Sequence, residues 1–351
     1  MKHATTTLWK PVLAGLVAVP TLVLSGCGGG DTNNSDSAAS EALTPITFQL
    51  NSPAAGYNSG FELALVNGYY KDAGLDVKIE PGNGSANTAQ LVAAGQIDVA
   101  FADSAAVMGL VKDGAKITIV STILQSNPNQ VTALADSGIT SIEQIKGKKV
   151  AIPNGYSQAA MFPLVLDSIG LTADDIEEVN MPAESMVASL LQGQVDVILG
   201  SIDNFGVQLK QQGADTVDFL FSDNGAATVS TSIVASDSFL AEHPEAVRGF
   251  VDASLKGWSA AIDDNDAALA AMSEVFPDAS AELGKGQLDA TEVLMCANGA
   301  KFIGKASPEQ WTTTVENLAA VGMLPKDKPA TDYYSLDYVP NEAELRACPI
   351  A

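Results

Sequence analysis

The sequence predicts an α/β fold made of two similar, doubly wound lobes joined by a two-strand hinge. The main observation is a repeat, in which Gly-Gln-Ile-Asp-Val at residues 95–99 returns as Gly-Gln-Val-Asp-Val at residues 193–197. Each copy follows an apolar segment and leads into a β-branched run, as expected where a helix ends at glycine before a buried strand. A Gly-Tyr pair also precedes an apolar helix in each half, at residues 56–57 and 155–156. Two similar units indicate two lobes with a cleft between them.

The first half of the chain alternates strands and helices. Apolar patterns predict strands at residues 46–50, 75–79, 99–101 and 117–123. Apolar runs that end at glycine predict helices at residues 60–67 and up to residue 94. This order of elements is typical of a doubly wound unit.

The second half repeats this plan between two crossings of the chain, near residues 134 and 231. A short helix, a glycine stop and a strand span residues 139–150, and a later strand spans 195–199. A strand-like run at residues 228–235 returns to the first lobe, and a long helix begins at Pro244. The predicted lobes are therefore residues 45–133 with 232–345, and residues 134–231.

The N-terminus has the features of an export signal. Lys2 and Lys10 form a positively charged start, and the apolar segment that follows, residues 11–24, is short for a membrane span. Residues 24–27 (Leu-Ser-Gly-Cys) resemble a bacterial lipobox. We expect residues 1–26 to be a signal peptide, Cys27 to carry the lipid and residues 27–44 to be a flexible tether. The alternative is an ordinary secretory signal with an incidental cysteine.

Composition limits the possible partners. The 351 residues are 46% hydrophobic and 17% charged, which is enough to fill the cores of two lobes, and the formal net charge is −24. Such acidity argues against nucleic acids and anionic membrane surfaces as partners.

Cys296 and Cys348 form either a disulfide that pins the C-terminal tail or two free buried thiols, and both alternatives remain open here.

Polar loops follow the predicted strands, where open α/β sheets bind ligands. The alternative for any one loop is that its Asn, Ser and Gly only cap helices and form turns. The candidate ligand-binding residues are Asn51, Tyr57, Asn58, Asn83, Ser85, Asp103, Ser104, Asn154, Tyr156, Ser157, Glu184, Asp203 and Asn204.

These loops contain carboxylates but neither Lys nor Arg. A sulfonate favours cationic donors, so we expect a neutral or amine-bearing planar ring between Tyr57 and Tyr156, with Asp103, Glu184 or Asp203 accepting its N–H groups. We predict no metal and no cofactor. Residues 155–159 partly resemble the serine turn of hydrolases, but His243 is predicted to lie far from them.

Three segments carry a family resemblance: residues 67–77, the repeat itself, and residues 145–150 (Ile-Lys-Gly-Lys-Lys-Val). They resemble the bacterial solute-binding proteins for thiamine-pyrimidine precursors, alkanesulfonates and taurine. Residues 331–340 are more similar to the thiamine-pyrimidine branch. The resemblance implies a type II periplasmic-binding fold and a monomeric receptor that captures a small solute between its lobes. It also implies docking on the permease of an ABC importer with a cytoplasmic ATPase, at the periplasmic or outer face of the membrane.

Three other functions are weighed against this one. A sulfonate or taurine receptor would share the fold. A sensor domain of a surface receptor would need a transmembrane helix, which the sequence after the signal does not offer. An enzyme of thiamine-pyrimidine synthesis is the third, but the yeast relatives that make the pyrimidine carry a cysteine-rich cluster and an essential histidine. This chain has no such cluster, and its histidines are His3 and His243. We therefore expect no enzymatic activity.

Overall fold

Two five-stranded sheets, one in each lobe, form the framework of the computed structural model, which describes residues 42–153 and 157–349. The strands are β1 Thr44–Gln49, β2 Leu75–Glu80, β3 Val99–Asp103, β4 Ile117–Thr122, β5 Asn129–Leu134, β6 Lys149–Pro153, β7 Glu177–Met181, β8 Val197–Ser201, β9 Thr216–Leu220 and β10 Thr231–Ser236. The helices are α1 Ser59–Val66, α2 Tyr69–Asp72, α3 Ser85–Ala93, α4 Ser104–Lys112, α5 Ser157–Ser168, α6 Ala183–Leu191, α7 Val207–Gln211, α8 Asp237–Glu242, α9 Pro244–Asp263, α10 Asn265–Val275, α11 Ala281–Met295 and α12 Pro308–Ala320.

The two sheets have the same topology. Their strand orders are β2-β1-β3-β10-β4 and β7-β6-β8-β5-β9. In each sheet the first three strands are parallel, and the fourth is antiparallel to both of its neighbours. The predicted α/β fold of two similar lobes is confirmed.

One predicted boundary needs correction. We expected residues up to 133 to belong to the first lobe, but β5 lies in the second sheet between β8 and β9. The chain therefore crosses between the lobes at residues 123–128 and returns at residues 224–230. The fourth position of each sheet is filled by a strand next to a crossing, β5 in one lobe and β10 in the other. An apolar run beside a crossing fits either sheet equally well, so its sequence alone does not assign it.

The sequence repeat has a structural role in both lobes. Gly95 and Gly193 adopt positive φ angles of 68° and 65°, which allow the preceding helix to end and the chain to turn. The aspartate of each copy accepts a hydrogen bond of 2.8 Å from a backbone N–H of the neighbouring strand, Asp98 from Thr47 and Asp196 from Lys149. These contacts account for both aspartates without acid–base catalysis.

The last helix, α12, ties the second crossing to the rest of the molecule. Asn317 Nδ2 donates to the Ala227 carbonyl at 2.7 Å, and Val229 N donates to Thr314 Oγ1 at 2.9 Å. Trp311 of the same helix belongs to a hydrophobic core that contains residues of both lobes. The crossings are therefore held by packing as well as by chain connectivity.

A disulfide joins Cys296, at the end of α11, to Cys348 near the C-terminus. Of the two alternatives for these cysteines, the structure has the bridge. None of the helices in the described part of the chain has the length and apolar character needed to span a membrane. The predicted signal peptide and Cys27 lie outside the described residues, as does all but the end of the predicted tether.

Candidate ligand-binding site

A cavity of about 240 Å³ lies between the lobes, at the carboxyl ends of β1, β3 and β8. Both lobes and both crossings contribute to its wall, and most of the residues that line it are polar. The described residues that line it are Asn51, Ser52, Tyr57, Phe101, Asp103, Leu124, Asn127, Pro128, Asn129, Gln158, Ser201, Asp203, Asn204, Phe205, Ser230 and Thr231. Open α/β sheets bind ligands at such strand ends, so this cavity is the candidate site.

Asp103 is held in place by the start of a helix. Its Oδ1 accepts from the backbone N–H of Ala105 at 3.0 Å and, more weakly, from that of Ala106 at 3.4 Å, so it caps α4. Its Oδ2 accepts from Ser230 Oγ at 3.0 Å. Burial raises the pKa of this carboxyl above its ordinary value, although the hydrogen bonds from Ser230, Ala106 and Ala105 lower it in part.

Asp203 faces the same cavity from the second lobe. It lies in a single π-helical turn, Ile202–Gly206, that follows β8 and leads into α7. Burial raises the pKa of its carboxyl, and a hydrogen bond with the Ser201 side chain opposes this shift. No positive charge compensates either aspartate among the described cavity-lining residues.

Tyr57 projects from the 3₁₀ turn Gly56–Asn58 of the first lobe. Its hydroxyl accepts from Ser52 Oγ at 3.3 Å, and its pKa is raised by burial and further by the negative charge of Asp203. The turn itself is fixed against α11, because Gly56 N donates to Gln287 Oε1 at 3.0 Å. A Cβ at Gly56 would lie 2.0 Å from the Gly284 carbonyl oxygen, so only glycine fits this approach.

Of the thirteen candidate residues, five line the cavity: Asn51, Tyr57, Asp103, Asp203 and Asn204. Asn58 and Ser104 sit in the protein interior instead. Asn58 Oδ1 accepts from Ala55 N, and Ser104 Oγ donates to the Ser230 carbonyl. Asn154 and Tyr156 lie outside the described residues, and the side chain of Ser157 is also not described.

Asn83, Ser85 and Glu184 do not line the cavity, for a reason that lies in strand order. They follow β2 and β7, and each of these strands is at the edge of its sheet. The cavity forms at the ends of the central strands, so loops after the edge strands lie away from it. These residues were expected to lie in the cleft with the other candidates, and in the structure they do not line the cavity.

Several lining residues were not among the candidates. The first crossing contributes Leu124, Asn127 and Pro128, and Asn129 follows at the start of β5. The second crossing contributes Ser230, and Thr231 follows at the start of β10. A usable signal was present, since a polar run at residues 125–129 separates two apolar strand segments. Gln158 was also missed, although it directly follows a candidate residue. No group of three or more His, Cys, Asp or Glu side chains is placed to hold a metal ion within residues 42–153 and 157–349.

Comparison with known proteins gives the fold and the family. The structure superposes on the periplasmic aliphatic sulphonate-binding protein SsuA of Escherichia coli with a TM-score of 0.64 and 14% sequence identity, covering 84% of this chain and 92% of that one. A Candida albicans protein described as having the generic periplasmic binding protein fold gives a TM-score of 0.57 at 15% identity, over 82% and 93% of the two chains.

Two relatives are similar in sequence. The 4-amino-5-hydroxymethyl-2-methylpyrimidine phosphate synthase of Candida albicans is 30% identical over 221 residues, which is 59% of this chain and 64% of the synthase. The match thus spans less than two thirds of that relative's length. The riboflavin-binding protein RibY of Chloroflexus aurantiacus is 25% identical over 80% of this chain and 82% of RibY.

The model of one protein family, described as NMT1/THI5 like, matches residues 56–268. This segment contains both copies of the repeat, both crossings and every cavity-lining residue except Asn51 and Ser52. It covers more than half of the chain. The two lobes form a periplasmic-binding-protein fold, and the chain belongs to the NMT1/THI5-like family.

Proposed function

We propose that this protein is the solute receptor of an ABC importer, and that it captures a small planar heterocycle similar to a thiamine-pyrimidine precursor. It is exported and lipid-anchored through Cys27, and it delivers its solute to a permease as a monomer. The observation that carries the proposal is the cavity between the lobes, with one aspartate from each lobe and Tyr57 at its wall. A solute that contacts both lobes favours the closed arrangement, because only that arrangement offers both halves of the site.

The chemistry of the wall guides the choice of solute. An aminopyrimidine presents N–H donors that Asp103 or Asp203 can accept, and a flat face that can stack on Tyr57. A sulfonate would face two carboxylates and no cationic side chain among the described lining residues. Riboflavin has three fused rings and a ribityl chain, and it would need much more of the cleft than a single pyrimidine ring does.

The synthase name of the Candida relative raises an enzymatic alternative. A biosynthetic enzyme of the kind described above would need reactive His or Cys side chains at its site. His243 is exposed at the junction of α8 and α9 and does not line the cavity, and Cys296 and Cys348 are bonded to each other. The receptor function therefore agrees better with the residues of the cavity.

The proposal can be tested by calorimetric titration with 4-amino-5-hydroxymethyl-2-methylpyrimidine, riboflavin and ethanesulfonate. We expect only the pyrimidine to bind tightly, and Tyr57→Ala to weaken its binding by about tenfold through lost stacking and lost buried area. Tyr57→Phe keeps the ring and should have a small effect. Tight binding of ethanesulfonate, or pyrimidine binding that is unchanged in Tyr57→Ala, would contradict this assignment.

The anchor has its own test. Cys27→Ser removes the thiol that would carry the lipid, so we expect the variant protein to leave the membrane fraction while it still binds solute. Unchanged fractionation with membranes would contradict lipidation at Cys27 and leave the receptor function intact.

A further inference from the structure

The cavity presents carboxylates on both of its sides and no balancing positive charge. Asp103 comes from the first lobe and Asp203 from the second, and none of the described lining residues is Lys, Arg or His. Residues 154–156, which lie between β6 and α5 in the sequence, are Asn-Gly-Tyr and contain no cationic residue either. When the lobes come together they place both carboxyl groups on one small cavity. Without a solute, this arrangement removes negative charge from water, and the hydrogen bonds from Ser230 to Asp103 and from Ser201 to Asp203 offset that cost only in part.

Gln158 adds a third acceptor to the wall. The residue is 7% exposed, and its Nε2 donates to the Gly200 carbonyl at 3.3 Å, which fixes the orientation of the amide. Its Oε1 is buried and has no hydrogen-bond partner among the described residues. A buried acceptor normally has a donor, and here the cavity is where a donor can be supplied.

We infer, on the basis of the proposed function, that the solute carries a positive charge as an ammonium or amidinium group that lies between Asp103 and Asp203, and that Gln158 Oε1 accepts a hydrogen bond from it. The charge determines both specificity and closure. A cation replaces the repulsion between two carboxylates by two charge-assisted hydrogen bonds, and an anion of the same size would add a third negative charge.

The inference can be tested with two pairs of probes that differ in charge and hardly in size. In the first pair, 4-amino-5-aminomethyl-2-methylpyrimidine is cationic at neutral pH, and 4-amino-5-hydroxymethyl-2-methylpyrimidine is neutral. In the second pair, benzylamine is cationic and benzyl alcohol is neutral. We expect the wild-type protein to bind the cationic member of a pair at least about tenfold more tightly than the neutral one in calorimetric titrations.

Three variants test which residues cause the preference for the cationic probe. Asp103→Asn and Asp203→Asn should each reduce the cationic preference to about threefold or less, and Gln158→Met should weaken binding of the cation. Asp136→Asn is the matched control. It removes one negative charge from an exposed turn of the second lobe, so it reports how much of the preference comes from the net charge of the whole protein. We expect this control to keep the full preference.

The outcomes separate the charge of the solute from its chemical class. Equal or weaker binding of both cations relative to their neutral partners in the wild-type protein overturns the inference, whether or not the variants fold. Tight binding of Ca²⁺ or Zn²⁺ that is lost in Asp203→Asn also overturns it, because the carboxylates would then be metal ligands. A preference for benzylamine without binding of either pyrimidine supports the charge but contradicts the proposed solute. Preferred binding of the hydroxymethyl pyrimidine supports the proposed solute but overturns the inferred charge.

Discussion

Glu62 is a carboxyl group that the fold buries without a counter-charge. It lies on α1, its side chain is fully buried, and neither carboxyl oxygen has a hydrogen-bond partner among the described residues. Burial raises its pKa from 4.5 to about 8. At neutral pH the group is therefore held mainly in its neutral form.

This residue predicts how stability depends on pH. An unfolded glutamate releases its proton near its ordinary pKa of 4.5, whereas the folded protein keeps it up to about pH 8. Protonation thus favours the folded state, and the contribution of this group falls as pH rises from 4.5 to 8 and levels off above that. The loss approaches about 1.4 kcal/mol for each pH unit within this window. We expect urea unfolding at pH 5, 7 and 9 to show it.

Glu62→Gln should remove that part of the pH dependence, because the amide has nearly the same shape and does not ionise. Its stability relative to the wild-type protein should therefore improve as pH rises. Glu178→Gln, at an exposed position on β7, is the control and should leave the pH profile unchanged. If the wild-type and Glu62→Gln profiles run parallel from pH 5 to 9, Glu62 is not the buried titrating group described here.

At the scale of elements, α11 contacts both turns that carry site residues. It packs against the turn Gly56–Asn58, which holds Tyr57, and against the π turn Ile202–Gly206, which holds Asp203. Gln211 Nε2, at the end of α7, donates to the Glu282 carbonyl at 2.8 Å. This helix therefore connects the two lobes, and its last turn also contacts the first crossing, where Gln125 N donates to the Leu294 carbonyl at 3.0 Å.

Glycine at position 286 is needed for this connection. A Cβ there would lie 2.8 Å from Cγ1 of Val207, whose branched side chain has little freedom to move. We expect Gly286→Ala to push α7 away and to weaken solute binding by about three- to tenfold in calorimetric titrations. The unliganded protein should be as stable as the wild type or more so, because alanine is favoured over glycine in a helix by up to about 1 kcal/mol.

Gly109→Ala in α4 is the matched control for this substitution. A Cβ at Gly109 meets nothing within 4 Å, so the variant should gain stability and bind solute normally. A fall in affinity in both variants, or in neither, would mean that the contact between α11 and α7 does not control binding.

Strand order decided which parts of the site could be predicted from the sequence. Asp103 and Asp203 were found because each closely follows a buried apolar run, and β3 and β8 are central strands. Glu184 also follows a strand, β7, but this strand lies at a sheet edge. Hydrophobic patterns show that a strand exists and do not show its neighbours in the sheet.

The crossings were harder to predict for a related reason. Asn127 and Ser230 are more than a hundred residues apart in the chain, and both line the cavity because both crossings border it. Hydrophobic periodicity in the sequence shows which residues of one helix or strand share a face. The residues around the cavity come from different elements, so periodicity does not bring them together. The repeat was easier to interpret, because each glycine ends the helix before it and each aspartate bonds the adjacent strand of the same lobe.

At the scale of the whole molecule, the two lobes are connected by the crossings at residues 123–128 and 224–230, by the hydrophobic core that contains Trp311 of α12, and by the contacts of α11 with the second lobe. The second crossing is held by α12 through Asn317 and Thr314. If the crossings stay fixed, the contacts of α11 with the second lobe are the ones that can separate. Opening would then be a hinge motion that exposes Asp103 and Asp203 to water.

This arrangement predicts a change in size on binding. A compact chain of about 300 residues has a radius of gyration of about 19 Å. In small-angle scattering of the Cys27→Ser protein, saturating solute should bring the radius toward this value, and the unliganded protein should be larger. Adding Gly286→Leu should keep the radius at the larger value even with solute, because the leucine cannot fit against Val207. Scattering curves that superimpose with and without solute, under conditions where calorimetry shows saturation, would exclude hinge closure as the way this protein binds.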